Sequence, residues 1–187
     1  MKAHKLLPFQ DVYEIIPEIH LDNRGYFYES FQKNKLKEII KKDIEFVQDN
    51  HSSSSKYVIR GMHFQEYPVS QQKLLRCIKG RVLEIVVNIN PNSTNFLKHI
   101  FLEISEKKMN QIFIPNGYAH GFLSLENGSQ LIYKTDNFYS AKKQITLFWD
   151  DPILNIKWPL DKRKFITSIR DKKAIMFKDY FNLQHIQ

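Results

Sequence analysis

The residues RVLEIVVNIN, 81 to 90, alternate: Leu83, Ile85, Val87 and Ile89 fall on one side of an extended chain, Val82, Glu84, Val86 and Asn88 on the other. A period of two is the mark of a β-strand, because successive side chains leave opposite faces of the backbone. The wholly apolar face predicts a core contact, and the mixed face is expected to be open to water. Short runs of the same kind recur at YFYESF, IEFVQD, YVIRGMHF, KLLRCI, HIFLEI, QIFIP, GFLSL and QLIYKT. Between them NPNS, PNG and ENGS are turn signals. Many short strands with no long helices in alternation predict an all-β sandwich or barrel. Helical spacing is confined to two short accessory segments, QKNKLKEIIKK, which groups Leu36, Ile39 and Ile40, and RDKKAIMFKDYF near the end.

Composition narrows the class without changing it. A chain of 187 residues with no repeat or compositional break is expected to form one domain over 1–187, long enough to bury a substantial core. The net charge of +8 permits an anionic partner, but the lysines are scattered among acids and apolar residues as on a solvated surface. No zinc-finger spacing, RNP-like sequence or arginine-rich segment is present, so nucleic acid is not the expected partner. The single cysteine, Cys77, excludes an internal disulfide and fits a reducing cytoplasm. No apolar run has the length of a secretory signal or a membrane span, and a soluble intracellular protein is expected.

Against this pattern the string VIRGMHFQ stands out. Val58, Ile59, Met62 and Phe64 could fill a core alone, so Arg60, His63 and Gln65 are surplus to folding and invite a chemical explanation. In IPNGYAHGF, Pro115 and Gly117 suit a tight turn delivering His120 into the interior of a barrel. The two strings together suggest a double-stranded β-helix, or jelly roll, of the cupin kind. Many cupins hold a metal with several imidazoles, yet Gln65 stands where that pattern wants a second histidine. Lys73 lies near where a ligand carboxylate would be sought, and an ammonium opposes a divalent cation. No metal is expected.

The strings DNRGYFYESF, FVQDNHSSS, VIRGMHFQ, QKLLRCIKGRVLEIVVNI, FIPNGYAHGF, YKTDNFYS and WDDPILNIKWP resemble, in order and near spacing, the dTDP-4-dehydrorhamnose 3,5-epimerases. That family has a cupin-like jelly roll, and the resemblance covers most of the chain from Asp22 to Pro159. It implies inversion of C3 and C5 of a nucleotide-diphosphate-linked 4-keto-6-deoxy sugar, with no metal and no cofactor. Both carbons adjoin the ketone, so the reaction needs a base, an acid and a stabiliser for the enolate oxygen. The matching positions are His63 as base, Asp171 as its partner, Tyr133 as acid and Lys73 beside the ketone.

Each role is chemically apt. A neutral imidazole accepts a proton near physiological pH, a carboxylate fixes its tautomer, and a buried cation opposes a developing oxyanion. The resemblance further assigns Arg24 and Arg60 to the diphosphate, where a guanidinium can bind two oxygens. Glu29, Gln48 and Asn50 fall at nucleotide contacts, Phe27 and Tyr139 at aromatic faces for the base, and His120 in the sugar cavity. Because the segment bearing Arg24 reaches into the neighbouring subunit in the family, a homodimer with shared sites is implied.

Glu84 and Asn88 stand where the family usually has aspartates, and Asn90 replaces a usual arginine. Inversion of C3 alone, another nucleotide-linked 4-keto sugar, and a non-catalytic sugar-nucleotide-binding cupin therefore stay open as alternatives.

Overall fold

The computed structural model describes residues 1–185. In chain order the first strands are β1 (Lys2–Lys5), β2 (Tyr13–Ile16), β3 (His20–Asp22), β4 (Gly25–Phe27), β5 (Gln48–Ser54), β6 (Ile59–Gln65) and β7 (Lys73–Lys79). There follow β8 (Arg81–Asn88), β9 (His99–Ser105), β10 (Gln111–Ile114), β11 (Tyr118–Ser124), β12 (Ser129–Thr135) and β13 (Gln144–Thr146). Helix α1 (Lys33–Ile40) precedes β5, and α2 (Ile169–Lys172) and α3 (Phe177–His185) follow β13.

Two antiparallel sheets face each other, in the orders β1-β2-β10-β7-β12-β5 and β13-β6-β11-β8-β9, and β3-β4 stands apart as a hairpin. Sheet neighbours are mostly distant in sequence, as in a jelly roll. Three apolar layers follow from the alternation along each strand. Between the sheets lie Leu75, Cys77, Val82, Val86, Ile104, Ile112, Ile114, Phe122 and Leu131. Outside the β6-containing sheet, Ile59, Met62, Phe64, Ile85, Val87 and Leu123 pack under Leu147, Leu154, Ile156, Trp158 and Phe177. Outside the other sheet, Ile15, Leu74 and Phe113 pack under Leu36 of α1 and Ile44. Each fully buried Leu or Ile contributes roughly 1.5–3 kcal/mol.

These layers correct several expectations. The second face of β8 is not wet: Val82, Glu84, Val86 and Asn88 are all buried, because both sides of this central strand are covered. The strand expected over IEFVQD begins only at Gln48 and runs on as QDNHSSS, a sequence without an apolar residue. It forms at the sheet edge because its alternate residues line a polar cavity instead of a core. YFYESF is extended only through Phe27. The helix expected over RDKKAIMFKDYF is broken, because Ile175 pairs with β13: its N–H donates to Thr146 O and its carbonyl accepts from Phe148 N. Strands β1, β2 and β13 are further elements that the apolar pattern leaves unmarked.

Strand β6 answers the question its sequence poses. Arg60 and His63 are three residues apart, so a regular strand would send them to opposite faces. Against β11, His63 pairs with His120 and Arg60 with Phe122, so the intervening stretch of β6 carries one extra residue. This bulge restores the phase and turns both side chains inward, while Met62 and Phe64 stay in the outer layer. Gly61 adopts φ +131°, and a Cβ there would lie 2.6 Å from Gly121 Cα. Only glycine tolerates both the conformation and that approach.

Candidate active site

The inter-sheet space is apolar at one end and polar at the other. At the polar end a cavity of about 230 Å³ is bounded by Gln48, Asn50 and Ser52 of β5, Arg60 and His63 of β6, Lys73 of β7, His120 of β11 and Tyr133 of β12. Gln71, Tyr139, Gln144 and Arg170 complete its wall. A wider recess of about 580 Å³ adjoins it, and Gln71, Lys73 and His120 line both.

His63 Nε2 lies 2.8 Å from Asp171 Oδ1, and Ser168 Oγ donates to Asp171 Oδ2 at 2.9 Å. Ser168 also caps α2, accepting from Asp171 N at 3.0 Å. Burial alone would raise the Asp171 carboxyl. The hydrogen bonds from His63 and Ser168 and the charge of Arg170 outweigh it and hold the group below its ordinary value. An ionised Asp171 accepts a proton-bearing Nε2, which leaves the Nδ1 lone pair as the basic site of the ring.

Lys73 is buried, and its Nζ lies 2.7 Å from His120 Nε2. His120 Nδ1 is in turn 2.7 Å from Glu84 Oε1. Burial lowers the Lys73 ammonium to about 8, opposed by the charge of Glu84. Burial drives His120 well below its usual range, helped by Lys73 and His63, and drives Glu84 up against the pull of Lys73. His120 is therefore a neutral ring bridging the buried Lys73 amine and the buried Glu84 carboxyl. The turn before it is as its sequence predicts, with Gly117 at φ +90° between β10 and β11. The Tyr133 hydroxyl is pushed up, chiefly by burial and against the nearby Arg60 charge, so it stays protonated at neutral pH.

The outer contacts form a second group. Arg60 is aimed by Ser54 Oγ and Ser53 O, each accepting at 3.1 Å. Gln48 donates to Asn50 Oδ1 at 2.9 Å and accepts from Tyr139 N at 2.9 Å, and Arg170 donates to Tyr139 Oη at 3.1 Å. Gln65 is a clamp: it donates to Val69 O and Phe138 O and accepts from Ser140 N.

Of the residues singled out in the sequence, His63, Tyr133, Lys73, His120, Arg60, Gln48, Asn50 and Tyr139 meet at the cavity, with Asp171 behind His63. Arg24, Phe27 and Glu29 do not. Arg24 pairs with Asp22 in the β3-β4 hairpin, its side chain 85% exposed, and Glu29 pairs with Lys35. Phe27 is 68% exposed and borders a separate shallow recess with Tyr26, Tyr28 and Arg76. Sequence reasoning missed Ser52, Gln71, Gln144 and Arg170. The period of two through Gln48 and Asn50 was the signal for Ser52, and adjacency to Asp171 the signal for Arg170. Gln71 and Gln144 carry no such mark. Among the described residues no group of three or more His, Cys, Asp or Glu could hold a metal ion, and no helix is long and apolar enough to cross a membrane.

An oriented imidazole, a protonated phenol and a caged amine around one cavity are the means of an acid–base enzyme working beside a carbonyl, here on a cupin-like jelly roll. Comparison makes the assignment specific: the chain belongs to the dTDP-4-dehydrorhamnose 3,5-epimerase family, whose profile matches residues 6–179. The dTDP-4-dehydrorhamnose 3,5-epimerase of Shigella flexneri is 38% identical over 171 residues, 91% of this chain and 94% of that protein. The crystal structure of the Elizabethkingia anophelis enzyme of that name superimposes with a TM-score of 0.90 at 38% identity, covering 96% of this chain and 97% of the other. The Legionella pneumophila dTDP-6-deoxy-D-glucose-3,5-epimerase, solved in complex with dTDP-4-keto-L-rhamnose, matches with a TM-score of 0.89 at 33% identity, covering 95% and 93%.

Proposed function

We propose that this chain is an isomerase that inverts C3, C5 or both in a dTDP-linked 4-keto-6-deoxy sugar, converting a dTDP-4-dehydro-6-deoxyglucose to a dTDP-4-dehydrorhamnose. His63 Nδ1 removes the proton next to the ketone, and the electron pair moves into an enolate whose oxygen faces the Lys73 ammonium. Tyr133 delivers a proton to carbon from the opposite face. Asp171 steadies the imidazolium formed in between. Losing a donor such as Lys73 costs about 2.7–4 kcal/mol in comparable sites.

On this reading Arg60 and Arg170 take the diphosphate, while Gln48, Asn50 and Tyr139 take the nucleoside, and His120 bounds the sugar. Arg24, Phe27 and Glu29 complete the site of a second copy, in a homodimer of single-domain subunits spanning 1–187. These three residues line neither cavity of their own chain, as such an exchange requires. The setting is the cytoplasm, with the product destined for cell-surface polysaccharide such as lipopolysaccharide.

The observation that carries the proposal is the 2.8 Å His63–Asp171 pair on the same cavity as Tyr133 and Lys73. Incubation with dTDP-4-keto-6-deoxyglucose in D₂O, followed by NMR, counts the carbons that gain deuterium and reads their configuration. The wild type should label and invert. His63→Ala should do neither, whereas Tyr133→Phe should label with retention and form little epimer. Binding of the sugar nucleotide with no labelling by the wild type would reduce the protein to a binder. Label at C3 alone would make it a C3-only epimerase.

A further inference from the structure

Among the described residues Glu84 is the one carboxylate with 0% exposure, sealed between the sheets, and the proposed proton transfers make no use of it. Its Oε1 meets His120 Nδ1, but Oε2 has no hydrogen-bond partner among the described residues. An unpartnered buried carboxylate oxygen is expensive unless a cation balances it. Two contacts of 2.7 Å lead from Glu84 through the His120 ring to Lys73 Nζ. The backbone fixes this line. Glu84 and His120 project inward from adjacent strands, β8 and β11, and Lys73 opens β7 on the opposite sheet.

We propose that Glu84 is a positioning residue which, acting through His120, holds Lys73 in its ammonium form and so sets the alkaline limit of the reaction. The inference rests on the proposed role of Lys73 and extends it to a group that touches no substrate. With Glu84 ionised, His120 carries its proton on Nδ1 and presents the Nε2 lone pair to an ammonium hydrogen. Shifting one proton from Lys73 to Nε2, and the Nδ1 proton to Glu84, leaves a neutral amine and a neutral acid. The atoms and total charge balance in both arrangements, and only the first opposes an enolate oxygen. Burial favours the neutral arrangement and attraction between the ends favours the charged one. The other charged or titratable groups around the cavity are His63, Arg60, Tyr133, Tyr139 and Arg170. The recess that Lys73 and His120 also line adds Glu66, Lys143, Tyr67, Tyr118 and Tyr180. Arg60 and Arg170 have the wrong sign to retain an ammonium, and Glu66 is paired with Lys143.

Glu84→Gln keeps the shape and an oxygen for His120 Nδ1 but removes the charge. Burial leaves the wild-type Lys73 ammonium at about 8; without the Glu84 charge it should lose its proton at lower pH, and the alkaline limb of kcat/KM should move down by about one unit or more. For a limb that moves from 8 to 7 the protonated fraction at pH 8 drops from 1/2 to 1/11, so activity there should fall about fivefold or more while activity at pH 6 falls no more than about twofold. Glu84→Asp, which restores the charge, should return the limb toward the wild type. A Glu84→Gln variant that is equally impaired at all pH values, or whose limb is unmoved, overturns the proposal. NMR of wild-type protein carrying ¹⁵N-lysine and ¹⁵N-histidine gives a second readout independent of turnover and of the variant's folding. The Lys73 Nζ and His120 ring signals should titrate together. A His120 ring indifferent to the Lys73 titration overturns the relay, whereas joint titration without epimerisation leaves the relay standing and rejects the proposed substrate.

Discussion

Replacing Asp171 by Asn tests the pairing on which the base depends. The carboxylate accepts from His63 at 2.8 Å and from Ser168 at 2.9 Å, and it is buried beside the cavity. A hydrogen bond to a charged group is worth about 1.5–3 kcal/mol. With tenfold in rate per 1.36 kcal/mol, losing it from the imidazolium-forming step predicts a fall of roughly 10- to 150-fold. The amide adds a further handicap. Its NH₂ can donate to His63 Nε2, which moves the ring proton onto Nδ1 and blocks the lone pair that must take the substrate proton. The assay is kcat/KM alongside deuterium wash-in at C3 and C5, and both should fall together because both pass through the base. Ser168→Ala, which removes one contact to the carboxylate, should show a smaller loss of the same kind. An Asp171→Asn variant within twofold of the wild type, or one that forms less epimer while wash-in persists, would refute the reasoning. Stability supplies a companion measurement. The Asp171 carboxyl is held below its ordinary value, so its stabilising contribution is complete at neutral pH and fades as pH falls through the acid range. The wild type should therefore lose more stability than Asp171→Asn between pH 6 and pH 3.

Three further outcomes are expected. Exhaustive chelation should leave activity unchanged, because Lys73 places an ammonium on the cavity, where it opposes a divalent ion; a stoichiometric metal whose removal abolishes turnover would contradict this. Mixing inactive Arg24→Ala and His63→Ala proteins should restore part of the activity by forming hybrid sites, and exchange of subunits without recovery would exclude shared sites. Gly121→Ala would place a Cβ 2.6 Å from Arg60 O and 3.1 Å from Gly61 Cα, which should cost about 1–3 kcal/mol and disturb both Arg60 and His63. Calorimetry and kcat read the two effects, and an unchanged Tm would show that β6 and β11 can separate freely.

The strands that pack apolar residues on both sheet faces, such as β7, β8 and β11, were legible because burial imposes a period that survives in the letters. β5 was not, since QDNHSSS keeps its alternation only in which hydroxyls and amides face the cavity. The place of His63 in a polar cavity was signalled by the polar excess in VIRGMHFQ. The bulge that makes Arg60 and His63 neighbours was not, because an extra residue in one strand is defined only against its partner. Asp171 was matched by resemblance; what places it is the return of Ile175 to the β13 edge, a long-range pairing that shortens the expected helix. Lys73 too was matched by resemblance, and its burial depends on a sheet-to-sheet juxtaposition with His120 and Glu84 that no local pattern encodes.

The extra residue in β6 also governs which genetic lesions the strand can absorb. Removing either amino acid between Arg60 and His63 leaves the two residues two apart, the spacing at which a regular pleat carries both side chains on the inner face, opposite Phe122 and His120. Straightening the strand with its extra residue still in place would instead drive the guanidinium or the imidazole into the apolar layer around Leu147 and Trp158, where neither can be solvated. An in-frame deletion at this point therefore removes the bulge and keeps the phase, whereas a side chain at position 61 that forbids the bulge exchanges the inside and outside of half a strand. Spacing and bulge are thus a matched pair, and the strand can lose both together but not one alone.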